Sequence, residues 1–355
     1  MSDANTNTGE AFVVYLREKL PLIERALHEA NAAPMAEVDA PARDLDRYLY
    51  EPLAHFTAGG GKRVRPVLAL LGAEAVGGCA EQALSSGVAI ELFQSAALIH
   101  DDIADASELR RGEPCLYRTH GEGLAINAGD LALTRVFEVV LNDASLPGDR
   151  RLRVLDELVR MERHTLEGQA LDLGWARDGR WDVTSSDYLY MIEGKTAWYT
   201  VASPLRIGAL AAGAADEAAC ELVELGRPAG LAFQLQDDLL NLVGDASAQG
   251  KDFRSDITEG KRTLAVVWAL EHLDDEPHRE LVDLLESKTT NPDKLARAVE
   301  LIEQGGGIEA CRDLALKLTR DAQDKARALA ASGTITPESA ELLCSMADFF
   351  INRSA

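Results

Sequence analysis

Apolar positions recur at helical spacing along nearly the whole chain, and alternating β-branched stretches are hard to find. That pattern predicts helices in place of strands. Ala11–Ala33 is amphipathic, with a bend expected at Pro21. Residues 34–41 form a linker, Asp44–Phe56 resumes helix, and Val67–Val76 is apolar and helical. The next helix begins near Ala80. From Gly87 to Ile99 it is mostly apolar without proline, which predicts burial. Leu124–Asn142, Arg151–Trp175, Asp187–Ile207 (interrupted at Pro204) and Asp216–Asn241 follow as helices. A polar loop, Gly250–Lys261, leads to Thr263–His272, Glu276–Ser287, Asp293–Glu303, Ile308–Ala331 and Pro337–Arg353. No strand pair, repeat or inter-domain linker interrupts this order. The polar residues 1–10 are expected to be disordered, and 11–355 to form one large all-α domain.

The apolar pattern breaks abruptly twice. Leu98-Ile99-His100-Asp101-Asp102-Ile103-Ala104-Asp105 places three aspartates at the end of an apolar helix. Asp101 and Asp105 lie at i and i+4, with Cβ atoms ~6 Å apart on one face, and Asp102 points obliquely beside them. Phe233-Gln234-Leu235-Gln236-Asp237-Asp238-Leu239-Leu240-Asn241 repeats the apolar lead, the aspartate pair and an oxygen-bearing residue. Either pair alone passes for a solvated helix end. Two copies, each closing a long apolar helix, call for a cation to offset lost hydration and mutual repulsion. Hard divalent ions suit such oxygen donors, and Mg²⁺ commonly joins carboxylates to substrate phosphates.

Composition narrows the reading. The net charge of −23 argues against a nucleic-acid partner and would repel a phosphorylated substrate unless metals and a few placed cations act locally. Five scattered cysteines without a CxxC imply a reducing cytoplasm and no structural zinc. No apolar signal core opens the chain, and no apolar run spans a membrane's width without a charge, so stable membrane insertion is not expected. There is no Glu-x-x-His for a di-iron bundle, no nucleophile elbow and no dinucleotide fingerprint.

Cations cluster in a few places. Gly60-Gly61-Lys62-Arg63-Val64-Arg65-Pro66 sets three of them beside glycines at a helix start. It reads either as a solvated turn or as an anion cradle, and the acidic background favours the cradle. Arg110-Arg111 follows Asp105 closely enough to fold back over a metal-held group, and arginine suits phosphate through its planar fork. Lys195, Lys251 and Lys261 are individually weak signals. His100 reads as a packed or hydrogen-bonded core histidine in place of a ligand. Together these residues describe a site for two anionic groups above an apolar pocket.

At these residues the chain resembles the trans-isoprenyl diphosphate synthases, the polyprenyl synthetase family, and most closely bacterial members that make geranylgeranyl diphosphate. DDxxD with RRGxP is matched from Asp101 to Pro114, and GGKRxRP from Gly60 to Pro66. The KT motif is matched at Lys195-Thr196, FQxxDD from Phe233 to Asp238, and the GK…DIxEGKxT loop from Gly250 to Thr263. The resemblance implies an all-α isoprenoid synthase fold with helices around a deep central cavity, a cytoplasmic homodimer and Mg²⁺ dependence. It implies condensation of isopentenyl diphosphate with an allylic diphosphate. Asp101, Asp102, Asp105, Asp237 and Asp238 are then expected to hold Mg²⁺. Arg110, Lys195, Lys251 and Lys261 are expected on the allylic diphosphate, Lys62, Arg65 and Arg111 on isopentenyl diphosphate, and Thr196 and Gln234 as further substrate-binding residues.

Two departures stand out. Gln94 replaces the family's histidine in the isopentenyl diphosphate site, and Asn241 replaces an aspartate, so that metal contact is expected to be weaker or absent. The resemblance also implies that the fourth and fifth residues before Asp101 set product length. These are Ala97 and Ala96, both small, and the next bulky group is Phe93, about one turn lower at ~6 Å. The expected product is geranylgeranyl diphosphate, ahead of farnesyl or longer polyprenyl diphosphates. Rival readings are a class I terpene cyclase, which would not need the second diphosphate site, and a non-catalytic partner subunit, which would not keep both aspartate clusters.

Overall fold

The structure, a computed structural model, describes residues 9–32, 41–244 and 253–352. In chain order the helices are α1 (Glu10–Asn31), α2 (Ala42–Leu45), α3 (Glu51–Ala58), α4 (Val64–Ala75), α5 (Leu84–Ala104), α6 (Leu116–His120), α7 (Glu122–Leu141) and α8 (Gly148–Arg177). Then come α9 (Ser185–Ile192), α10 (Ser203–Ala212), α11 (Asp216–Val243), α12 (Ser255–Glu259), α13 (Leu264–His272), α14 (Asp275–Glu286), α15 (Pro292–Gln304), α16 (Gly307–Ala331) and α17 (Pro337–Asn352). The all-α expectation holds, and most helix limits fall within a few residues of those read from the periodicity. The residues 1–8 of the expected disordered N-terminus lie outside the described residues, and Glu10 already opens α1.

Three local features differ from the expected pattern. Leu109–Arg110 (β1) pairs antiparallel with Glu113–Pro114 (β2), a hairpin where a loop was expected and no strand pair foreseen. Its two turn residues, Arg111 and Gly112, have φ of 54° and 84°, the hand that matches strand twist in a two-residue hairpin. Strands of two residues are too short for alternation to show. Glu193–Ala202 is a wide π-helical stretch between α9 and α10. Pro204, which cannot donate to the preceding turn, follows at once. The described part of the 250–261 loop contains the short helix α12.

The chain divides into two compact units. One comprises Val14–Arg160 with Ser203–Cys220. Its axis is α5, buried along most of its length and packed on α4 and α7. By length and composition Ala80–Ala104 passes for a membrane span, but α5 buries its apolar faces inside this unit, as a core helix does. α4 packs closely on α10 because Gly72 and Gly208 lack side chains where the two backbones meet: a Cβ on Gly208 would overlap the Ala69 carbonyl. His100 lies over Gly129 of α7 with Nε2 3.4 Å from the Ile126 carbonyl, but its side chain is 35% exposed and not enclosed in the core as expected.

The other unit comprises Met1–Val13, Met161–Ala202 and Glu221–Ala355. Its core gathers Leu235, Leu239 and Leu242 of α11 with Leu264, Leu281, Leu301 and Ile308. Phe12, Phe233, Phe349 and Phe350 add a cluster of aromatic rings.

Candidate active site

In the first unit the helix ends on its aspartates. Asp105 is the C-cap of α5, and its N–H bonds to the Asp101 carbonyl at 2.8 Å. Asp101 is half-buried and Asp105 exposed, while Asp102 is only 1% exposed. Asp102 is therefore the innermost of the three rather than an oblique neighbour. Its Oδ1 accepts from Arg110 Nε at 2.9 Å and Nη2 at 2.5 Å, and its Oδ2 is buried without a hydrogen bond. Burial opposes the charge on Arg110, but the Asp102 hydrogen bond and charge outweigh it and raise the guanidinium pKa. The hairpin makes this contact: Arg110 closes β1, and the next residue turns away.

That next residue is Arg111. Its Nη2 would lie 3.5 Å from a Cβ on Gly61, so its guanidinium rests against the glycine loop. Burial lowers the Arg111 pKa, and the charges of Arg63, Arg110 and Arg65 push it the same way, with Glu91 opposing them. Four arginines thus concentrate positive charge in a strongly acidic chain. Lys62 is exposed and Arg65 half-buried at the start of α4. Arg63, which the sequence placed in the same cradle, is instead buried and paired with Glu24 and Glu91. A cavity of about 310 Å³ opens beside Arg110 and Arg111, lined also by Phe56, Gly59, Leu116 and His120. Gln94 is half-buried on α5, one turn after Glu91. Ala96 is fully buried with Leu53, Ile99 and Leu116, Phe93 is buried, and Ala97 remains partly exposed.

In the second unit Asp237 is half-buried and Asp238 buried in α11. The Tyr188 hydroxyl donates to Asp238 Oδ2, and Gln234 Nε2 donates to Oδ1 at 2.8 Å. Burial and the charges of Asp256 and Asp237 push the Asp238 carboxyl up to about 8, against the two hydrogen bonds. Burial also raises the carboxyl pKa of Asp256, opposed chiefly by Lys261, whose Nζ lies 3.3 Å from Asp256 and 2.8 Å from Glu259. Lys195 sits in the π-helical stretch and donates to Asp172 Oδ2 at 2.5 Å; wide turns of this kind recur at functional sites. Thr196 beside it is buried. Asn241 ties down the following loop: its Nδ2 bonds Ser255 Oγ at 3.0 Å, and its Oδ1 accepts from the Asp256 N–H at 3.2 Å. The Asn241 oxygen expected to be a weak metal contact is thus engaged by backbone. Lys251 lies outside the described residues.

Sequence reasoning missed Tyr188, Asp172, Glu24 and Glu91 as partners of the candidate residues. Nothing in their local sequence marks them, because each meets its partner through the fold.

Among the described residues no three or more Asp, Glu, His or Cys side chains converge as a closed metal site. Mg²⁺ does not need one, since it takes one or two carboxylates and completes its octahedron with water and substrate phosphate. The oxygen-only donors fit that ion, as does the buried Asp102 Oδ2 that accepts no hydrogen bond.

Comparison with known proteins assigns this architecture. The polyprenyl synthetase family model matches residues 46–302. The chain is 39% identical over 302 residues to the short chain isoprenyl diphosphate synthase of Methanothermobacter thermautotrophicus, covering 84% of this chain and 88% of that relative. It matches geranylgeranyl pyrophosphate synthetase from Pyrococcus horikoshii with a TM-score of 0.85 and 32% identity, over 97% of this chain and 99% of that one. It matches geranylgeranyl pyrophosphate synthase from Corynebacterium glutamicum, solved with isoprenyl diphosphate and magnesium, with a TM-score of 0.80 and 29% identity, over 98% and 99% of the two chains. With the aspartate pairs, the glycine loop and the double-arginine turn all lying within the matched span, the chain belongs to the polyprenyl synthetase family.

Proposed function

We propose that the protein condenses isopentenyl diphosphate with an allylic diphosphate, with Mg²⁺, and that its main product is geranylgeranyl diphosphate. The observation that carries this reading is the hairpin turn. Arg110 is held on Asp102 of the first aspartate cluster, and Arg111 is laid on the glycine loop beside Arg65. One turn thus joins a carboxylate subsite to a cationic one, as two diphosphates require and a terpene cyclase does not.

Mg²⁺ bound by Asp101, Asp102, Asp105, Asp237 and Asp238 would supply positive charge against the departing diphosphate. In this reading Arg110, Lys195, Thr196, Gln234, Lys251 and Lys261 orient the allylic diphosphate. Their fixed charges and donors stabilise the leaving group as the allylic C–O bond breaks. Lys62, Arg65, Gln94 and Arg111 hold isopentenyl diphosphate with its alkene near the allylic cation. The new C–C bond forms, and a proton leaves to the released diphosphate. No protein nucleophile is needed.

The product assignment rests on α5. Ala97 keeps an open side, whereas Ala96 is enclosed and Phe93 is the next large group. The names of the Pyrococcus and Corynebacterium relatives agree with a twenty-carbon product.

The same reading takes residues 11–355 as a single catalytic domain in a cytoplasmic homodimer. Leu152, Val159, Leu166 and Leu173 stand exposed along α8 at seven-residue spacing, a seam suited to a helix of a second copy. Sedimentation of Leu166→Glu should show a monomer where the parent protein is a dimer.

The deciding experiment incubates the pure protein and Mg²⁺ with isopentenyl diphosphate and each allylic diphosphate, then sizes the products. A twenty-carbon diphosphate is expected, and Ala97→Phe should shift it to fifteen carbons. Cyclised hydrocarbon, or no condensation with any starter, would overturn the assignment.

A further inference from the structure

Arg63 stands in the middle of the basic loop, yet its guanidinium turns inward and its side chain is only 1% exposed. Each of its three nitrogens is used. Nε donates to Glu24 of α1 at 2.8 Å, Nη1 to Glu91 of α5 at 2.5 Å, and Nη2 to the Thr57 carbonyl near the end of α3 at 2.7 Å. Burial opposes the charge on Arg63, but the two carboxylates outweigh it and raise its pKa. With its side chain buried and its fork turned onto these acceptors, Arg63 is not presented to a substrate.

The loop around Arg63 runs through backbone conformations that need support. Gly60 and Gly61 have φ of 81° and 148°, and Arg63 itself sits at 49°. A non-glycine residue keeps such a conformation only where its surroundings hold it. Lys62 and Arg65 flank Arg63, one exposed and one half-buried. Glu91 has a second influence: its charge favours the cationic form of Arg111, against burial and three neighbouring arginines.

We propose that Arg63 is a positioning residue for isopentenyl diphosphate. Clamped by Glu24, Glu91 and the Thr57 carbonyl, it sets the loop conformation that presents Lys62 and Arg65. This rests on the reading of Lys62, Arg65 and Arg111 as that substrate's subsite. Lysine is no substitute, because a single ammonium on a flexible stem cannot bridge three acceptors held in a fork.

The test compares Arg63→Lys with the parent protein in steady-state kinetics, thermal melting and calorimetric titration of isopentenyl diphosphate alone. The KM for isopentenyl diphosphate should rise roughly ten- to a hundredfold, the scale of a small misplacement of binding groups. The KM for the allylic diphosphate should stay within about twofold, with kcat at saturation largely kept. Glu91→Gln, which retains an acceptor but loses the charge, should move the same KM in the same direction by less, and it serves if Arg63→Lys does not fold. A lower melting temperature with both KM values unchanged would overturn the proposal, as would equal rises in both. If the parent protein condenses the substrates while Arg63→Lys binds isopentenyl diphosphate as tightly, the positioning role falls and the functional reading stands. If the parent protein neither binds nor condenses it, both fall.

Discussion

Asp101-Asp102 at the end of α5 and Asp237-Asp238 in α11 share a dipeptide, a helical setting and a burial pattern in which the second aspartate lies inside. Their partners differ in kind. Asp102 meets the guanidinium of Arg110, delivered by the 109–114 hairpin. Asp238 meets the phenol of Tyr188, delivered by α9, and the amide of Gln234 one turn away. In the first unit an opposite charge offsets the desolvation of the carboxylate. In the second, among the described residues, the hydrogen bonds to it come from neutral donors, and Asp256 and Asp237 add like charge, so burial prevails and the carboxyl is pushed up to about 8. The comparison teaches that helical periodicity decides which aspartate is buried, whereas the segment arriving from elsewhere decides which partner meets it there.

The largest expected effect tests what the pairs share. Asp101→Ala should lower turnover by at least ~10³-fold, the upper scale for losing one electrostatic contact to a developing charge. Its melting temperature should hold or rise slightly, because a carboxylate leaves a like-charged cluster. Near-normal turnover in the prenyl-transfer assay would remove Asp101 from the site.

Arg110→Ala separates the two pairs. It leaves Asp102 buried without its cation, at a cost of about 2–3 kcal/mol in urea unfolding. This sits at or below the low end for breaking a buried pair, because the Arg110 side chain is itself 32% exposed. Tyr188→Phe should cost less, about 1 kcal/mol for one hydrogen bond, since Gln234 still donates to Asp238. The reverse order of these two costs would break the comparison.

The smallest effect comes from Glu162, a half-buried glutamate one of whose oxygens is buried without a hydrogen bond. Burial alone pushes Glu162 up to about 7, and its Oε1 accepts no hydrogen bond. The folded pKa lies above the ordinary value of 4.5. Its contribution to stability is therefore fully present below that value and is lost as pH rises through about 7. Glu162→Gln should flatten this part of the pH–stability profile, as melting curves between about pH 4 and 8 would show. An unchanged slope would mean that Glu162 is solvated.

Much of this was legible in the sequence. The 3.6-residue periodicity located the helices, because apolar burial on one helical face leaves a repeat that can be read along the chain. The ordered motifs pointed to the family. The hairpin escaped because its strands hold two residues each, and the π-helical stretch because its apolar pattern matches that of an ordinary helix. Arg63 was counted in the anion cradle because its spacing from Lys62 and Arg65 shows nothing of the carboxylates waiting beneath it.

The sequence by itself determined the all-α class, the two aspartate pairs and the basic loop, all written in spacings of a few residues. Only the tertiary structure decided which partner each received. Tyr188 reaches Asp238 across 50 residues of sequence, Arg63 reaches Glu24 across 39, and Lys195 reaches Asp172 across 23. Helical periodicity correlates residues within three or four positions and then loses register to loops and turns. Charge compensation depends on which side chains come within ~4 Å of each other, and over such separations only the packed fold sets that distance.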